Sequence, residues 1–285
     1  MKISLLLVLY CTAAIAQTTV RVDTIVSAAS TFLRKPAAIA VGVDGILYIA
    51  DTGNHRLVAL DSIGTILFES SSGGSGGDLR WPGDVTVGAA GKVLVSDAGN
   101  RRIVEFSRLL EWRGELTLNS AEGDALEPRA IAATPSGGLY AFESDEGELR
   151  RYDSFNTLIA KIGGRSGRSL AGILDLSASD AGGVFWIDAR DHAIYTTDAL
   201  LSAPHRLTST QFPLVHRIVA VDSSWIAVTD SGLARGDLRD AAPAWLSGLD
   251  LGTSALADCD IAARSAQQLF LLDSRRGALF RLWWP

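Results

Sequence analysis

One internal repeat limits what this chain can fold into more than any other feature. Residues 36–60, PAAIAVGVDGILYIADTGNHRLVAL, return at residues 82–106 as PGDVTVGAAGKVLVSDAGNRRIVEF, without a gap and with D-x-G-N-x-R in both copies. A period of 46 residues indicates a solenoid, a propeller or an array, because a unit of that size buries its apolar faces only against neighbouring copies. Using the Asp that closes the second apolar run as a marker, the repeat continues through Asp51, Asp97, Glu143, Asp188, Asp230 and Asp273, at spacings of 46, 46, 45, 42 and 43. Twelve residues before the marker stand Ile39, Val85, Ile131, Ile218 and Ile261, with Leu174 fourteen before Asp188.

Within the first copy the apolar runs are short and separated by turn residues. Ala38–Val41, Ile46–Ala50, Arg56–Leu60 and Thr65–Glu69 read as strands, and Gly, Asp, Asn and Ser fill the gaps between them. Helical periodicity is missing, apart from a weak stretch near Leu246–Ala257. Four strands per unit repeated six times predict an all-β fold, a six-bladed β-propeller of four-stranded antiparallel blades. The sixth copy ends at Trp283-Trp284-Pro285, with no residues left for a fourth strand. The strand-like run Thr18–Val26 at the other end is expected to supply it and to close the ring, removing an exposed edge.

Residues 1–16 read as a signal peptide: Lys2, an apolar run from Ile3 to Tyr10, and Ala14-Ile15-Ala16 before a cut at Gln17. Cys11 follows Tyr10 rather than a small residue, which argues against lipoprotein anchoring. Residues 17–285 are expected to form a single exported domain, periplasmic or extracellular, monomeric and without a transmembrane segment. Cys259 is the one Cys beyond the leader, so no internal disulfide is expected. The net charge of −6 disfavours nucleic acid, whose phosphates need a cationic footprint.

The residues that carry the period also carry a family likeness. Residues 36–57, P-x-x-I-A-V-x-x-x-G-x-L-Y-I-A-D-T-G-N-H-R-L, resemble the NHL repeat, and the Gly-rich approach at residues 73–82 is similar to what precedes such repeats. The resemblance implies a six-bladed propeller whose upper face and channel bind something. It implies no single activity, since the family includes protein-binding and RNA-binding modules, exported bacterial proteins and related amidating lyases.

The marker turn itself reads as architecture. In it, Asp51 and Asp97 can accept backbone N–H groups, Gly is expected to supply positive φ, and Asn54 and Asn100 tolerate left-handed geometry. Arg56 and Arg102 can pair with an acid, but Glu148, Ala193, Arg235 and Ala278 follow in the later copies, so the pairing lapses. Asp188, Asp230 and Asp273 are read as further structural markers. His55 and His192 share one repeat position on blades 1 and 4, so a shared zinc of the amidating-lyase kind is not expected, because such an ion needs convergent ligands. The lactonase-like propellers hold a divalent cation with acidic and Asn ligands, and no such set recurs here at inner positions.

A different position is more informative. At the start of the innermost strand, where these repeats often carry Gly, stand Ala38, Asp84, Ala130, Ile173, Arg217 and Asp260, preceded by Ala37, Gly83, Arg129, Gly172, His216 and Cys259. Asp84, Arg129, His216, Arg217 and Asp260 are therefore expected to gather at one mouth of the channel as a candidate ligand site. The alternative is mutual neutralisation without a ligand. No nucleophile–base motif is present. No cofactor is expected, although a divalent cation in the channel is compatible with these acids. The Trp residues divide similarly: Trp186 and Trp225 read as packing between blades, and Trp81 and Trp245 as exposed platforms. These features point to a non-enzymatic scaffold binding a protein, peptide or glycan; the alternative is a metal-dependent hydrolase or lyase at the channel mouth.

Overall fold

The computed structural model describes residues 20–70, 77–164, 170, 172–180, 182–209, 211–237, 243–246, 249, 251 and 256–284. The expected leader with Cys11, and residues 73–76 of the Gly-rich approach, lie outside them. Short β-branched and aromatic runs become strands, and these assemble into six separate four-stranded antiparallel sheets. Blade 1 comprises Ala38–Val41, Leu47–Asp51, Arg56–Leu60 and Ile66–Glu69. The innermost strands of the other blades are Pro82–Val87, Pro128–Ala133, Ile173–Ala178, Val215–Val221 and Cys259–Ser265. Each of the six innermost strands packs against the next, and the last packs against the first.

Closure uses the N-terminal strand. Arg21–Val26 pairs antiparallel with Ala278–Trp283, as in Val22 opposite Leu282 and Thr24 opposite Phe280, and so becomes the outer strand of blade 6. Arg281 donates to Asp23 across this seam at 2.9 Å. Trp284 is buried while Trp283 stays partly exposed, as alternation along a strand requires.

The core is divided among the interfaces between blades. Second strands such as Leu47–Asp51 and Val93–Asp97 are buried along their whole length because both faces meet a neighbouring sheet. Leu47 and Ile49 pack toward blade 6, and Tyr48 and Ala50 toward blade 2. Trp186 and Trp225 fill two such interfaces. In the stretch Leu246–Ala257 the described residues form the end of a strand (Ala244–Leu246) and one short turn of 3₁₀ helix (Leu256–Asp258).

Two register assignments differ from the sequence reading. In blade 5 the residue opposite Val215 is Thr229, which is fully buried, so Thr229 and not Asp230 takes the marker position. A two-residue turn shortens the first hairpin there by one residue, and the Thr229 hydroxyl spans the next turn by donating to the Gly232 carbonyl at 2.8 Å. In blade 4 the inner position belongs to Asp175 rather than Ile173. Asp175 lies opposite Ile187 as Asp84 lies opposite Ser96, and Ile173 lies opposite Asp188 as Pro82 lies opposite Asp97.

Candidate functional site

The turns between second and third strands form one face of the ring. Asp51 accepts the Arg34 N–H at 2.7 Å through Oδ1, and through Oδ2 the Asn54 amide at 2.8 Å and the Arg56 guanidinium at 2.9 Å. Asp97 does the same with Arg80, Asn100 and Arg102. Each Arg then reaches a glutamate of the outer strand, Arg56 to Glu69 at 2.8 Å and Arg102 to Glu115 at 2.6 Å. The Gly of this motif does not supply positive φ, nor does Asn adopt it; that conformation falls on His55 and Arg101, at φ 55° and 57°. Gly is required by proximity, since a Cβ on Gly53 would lie 2.5 Å from the Arg34 carbonyl oxygen and one on Gly99 2.6 Å from that of Arg80.

Later blades keep the acid and change its partners. Glu143 accepts the N–H groups of Glu146 and Glu148, both at 2.8 Å, and burial pushes its carboxyl above the usual range. Glu148 stands where blades 1 and 2 have Arg, and Lys161 stands where they have Glu69 and Glu115, so the ion pair survives with its charges exchanged. Asp188 and Asp273 each accept the N–H two residues on, from Arg190 and Arg275.

The channel holds the second group. A cavity of about 440 Å³ is walled by the innermost strands, with Ile39, Val85, Ile131, Leu176, Ile218 and Ile261 at one level and Asp84, Asp175 and Asp260 just above them. Arg217 sits over these acids, 3.1 Å from Asp260. The structure thus brings together Asp84, Arg217 and Asp260, and adds Asp175. Holding the twelve-residue spacing constant in the fourth copy would have found it, because Leu176 and then Asp175 precede Asp188 at the usual distances.

Arg129 and His216 do not join this group. Both are the extra residue of a β-bulge, between Pro128 and Ala130 and between Val215 and Arg217, and a bulge re-aims the side chain it inserts. Arg129 is exposed beside Glu127, and His216 Nε2 lies 2.6 Å from Asp230 Oδ1, with its ring 5.6 Å from that of His192. His55 instead meets Trp81, whose backbone N–H donates to His55 Nδ1 at 3.0 Å.

The channel carboxylates have a structural partner in the neighbouring blade. Burial first, with repulsion from neighbouring acids adding at Asp84 and Asp175 and the attraction of Arg217 opposing at all three, pushes Asp84 up to about 7, raises Asp175 well above the ordinary range, and raises Asp260 too. Among the described residues, the three acids close enough to surround one cation, within 4.8 Å of one another, are Glu143, Glu146 and Glu148 rather than the channel set. Arg150 and Lys161 already neutralise that turn.

Comparison with known proteins agrees with this architecture. A model of the NHL repeat matches residues 33–60. No curated protein sequence matches the chain. Among solved structures, the chain is similar to a gluconolactonase from Xanthomonas campestris at 13% identity and TM-score 0.68, covering 93% of this chain and 90% of that one. It is also similar to virginiamycin B lyase from Staphylococcus aureus, at 10% identity and TM-score 0.62, covering 93% and 99%. A third likeness is to the Swd1 propeller domain of Myceliophteria thermophila, at 12% identity and TM-score 0.62, covering 93% and 100%. At such identities the likeness is one of fold, and it extends to enzymes and to the propeller domain of Swd1 alike. No helix among the described residues is long and apolar enough to cross a membrane. Blades, ring closure and repeat together identify the chain as a six-bladed β-propeller that carries an NHL repeat.

Proposed function

We propose that this propeller is a non-enzymatic binding module that takes a protein, peptide or glycan on the face carrying the D-x-G-N turns. In this reading residues 1–16 direct export and are removed, and residues 17–285 act as a monomeric domain that needs no cofactor. Trp81 carries the proposal. It lies in the connection leading into blade 2, on that face, with 52% of its surface exposed. The Arg80 guanidinium sits 4.7 Å from its ring centroid and His55 holds its backbone.

A large aromatic side chain left in solvent when six blade interfaces could bury it does not help folding. At φ 49° it also occupies a backbone region that bulky residues avoid. Such a ring, held rigid, loses little entropy when a flat ligand stacks on it. Arg80 against its ring, and Arg34 and Lys35 exposed in the equivalent connection into blade 1, add cations to this face, which suits a ligand bearing carboxylate or sulfate groups. The rival reading, a metal-dependent hydrolase or lyase at the channel mouth with a divalent cation there, has less support. It needs His216 beside Asp84 and Asp260, and His216 is turned away from the cavity lining.

An array of immobilised oligosaccharides and linear peptides, probed with the native protein and with Trp81→Ala, tests the proposal. The expected result is a set of retained ligands, left intact by the protein and lost on substitution. Metal-dependent cleavage of any array component would support the rival reading.

A further inference from the structure

The innermost strand of a propeller blade has no strand on its channel side, so the N–H groups on that edge need other acceptors. Three carboxylates supply them for all six blades. Asp84 accepts from Val85 of its own blade and from Ile131 of blade 3, both at 2.7 Å, one oxygen for each. Asp175 accepts from Leu176 at 2.9 Å and from Ile218 of blade 5 at 2.7 Å. Asp260 accepts from Ile261 of its own blade and, at 2.7 Å, from Ile39 of blade 1. The inner residues of the alternate blades are Ala38, Ala130 and Arg217, which offer no acceptor. One step down, the Thr86 and Ser177 hydroxyls repeat the pattern, accepting from Ala133 at 3.1 Å and Ala220 at 2.8 Å.

We propose that these carboxylates form a single proton-sharing latch, which fastens the blades in three pairs, 2 with 3, 4 with 5 and 6 with 1, and whose hold is set by pH. One buried acid, Asp260, and two half-buried ones, Asp84 and Asp175, face one guanidinium, Arg217, the only other charged group of the inner ring. Blades 1 and 3 contribute the uncharged Ala38 and Ala130. Cys259, beside Asp260, is a neutral thiol whose ionisation burial opposes, as do the nearby Asp273, Asp258 and Asp260. With all three acids ionised, the ring carries two uncompensated negative charges close together in a narrow channel, which costs more there than in open water. A proton on one acid relieves this, and both of its oxygens keep a lone pair for the amide hydrogens, held more weakly than by the carboxylate.

The sign follows from Asp84, whose carboxyl ionises at about 7 in the fold against 3.8 when free. The folded state binds the extra proton between those values, so this group's stabilisation is full below about pH 4 and is lost as the pH rises to about 7. Above that, the third charge loosens the latch.

Carboxyl-carbon NMR of the folded protein labelled with ¹³C-aspartate tests the latch. The expected result is at least one Asp resonance titrating more than two units above the ordinary value of about 3.9, absent in Asp84→Asn and moved further up in Arg217→Met. Exchange of the Ile131 amide should quicken across the same pH range relative to strand amides away from the channel. Titration of every Asp resonance below about pH 5 in the native protein would overturn the proposal, and that readout needs no variant to fold. A high-pH titration that Asp84→Asn leaves in place, with Ile131 exchange insensitive to it, would also overturn it.

Discussion

Substituting Gly99 with Ala adds one methyl group, and the structure gives its consequence directly. The new Cβ would stand 2.6 Å from the Arg80 carbonyl oxygen and 2.7 Å from its Cγ, against about 3.5 Å for a comfortable contact. The Arg80 backbone cannot retreat freely, because its carbonyl accepts the Gly99 N–H at 2.9 Å and its N–H donates to Asp97 at 2.6 Å. Overpacking of this kind costs about 1–3 kcal/mol, and a weakened hydrogen bond adds about 1 kcal/mol. The expected loss is therefore about 2–4 kcal/mol, or a fall in Tm of roughly 3–7 °C in a chain of this size. Gly114→Ala is the matched comparison: nothing lies within 4 Å of its added Cβ and its φ is not positive. It should be neutral, or up to about 1 kcal/mol stabilising through the unfolded chain. Urea unfolding followed by Trp fluorescence compares the two. A Gly99→Ala protein within about 0.5 kcal/mol of the native one would refute the steric account of this motif.

Other perturbations have equally definite outcomes. Arg102→Met leaves the fully buried Asp97 carboxylate without its guanidinium and should cost about 3–5 kcal/mol by urea unfolding; a loss under about 1 kcal/mol would show the pair to be incidental. The Cys259 thiol is fully buried, and burial pushes it up to about 12, so a disulfide reagent should fail to label it near pH 8 until denaturant is added. Deleting residues 20–26 uncovers the edge of Ala278–Trp283 and should drive the protein into aggregates on size-exclusion chromatography; an unchanged elution volume would contradict the closure described above.

The fold was legible in the sequence because a propeller writes itself repeatedly. The marker Asp51, the turn residues and the strand runs recur at a nearly constant interval, and each copy constrains the others. Errors arose where one residue of slack decides an outcome. A shortened hairpin moved the marker from Asp230 to Thr229, and bulges in blades 3 and 5 decided that Arg217 meets the channel acids while Arg129 and His216 do not. Spacing alone does not reveal a bulge, since the extra residue looks like any other strand residue. The role of Gly53 and Gly99 was misread for a similar reason: sequence shows that Gly is needed, and only geometry shows that a carbonyl, rather than a left-handed φ, excludes the side chain. Asp175 was within reach of the sequence and was missed by letting one interval stretch to fourteen residues.

The claim at the centre of this account is that ligand recognition lies on the outer face at Trp81, while the channel acids serve the fold. Calorimetric titration of one array-identified ligand into the native protein, Trp81→Ala and Asp84→Asn tests it most directly. The account predicts that Trp81→Ala weakens binding about thirtyfold, the ~2 kcal/mol of a buried aromatic anchor, with Asp84→Asn within about twofold of native, below ~0.5 kcal/mol. The opposite pattern, with binding lost in Asp84→Asn and kept in Trp81→Ala, would contradict it and move recognition into the channel.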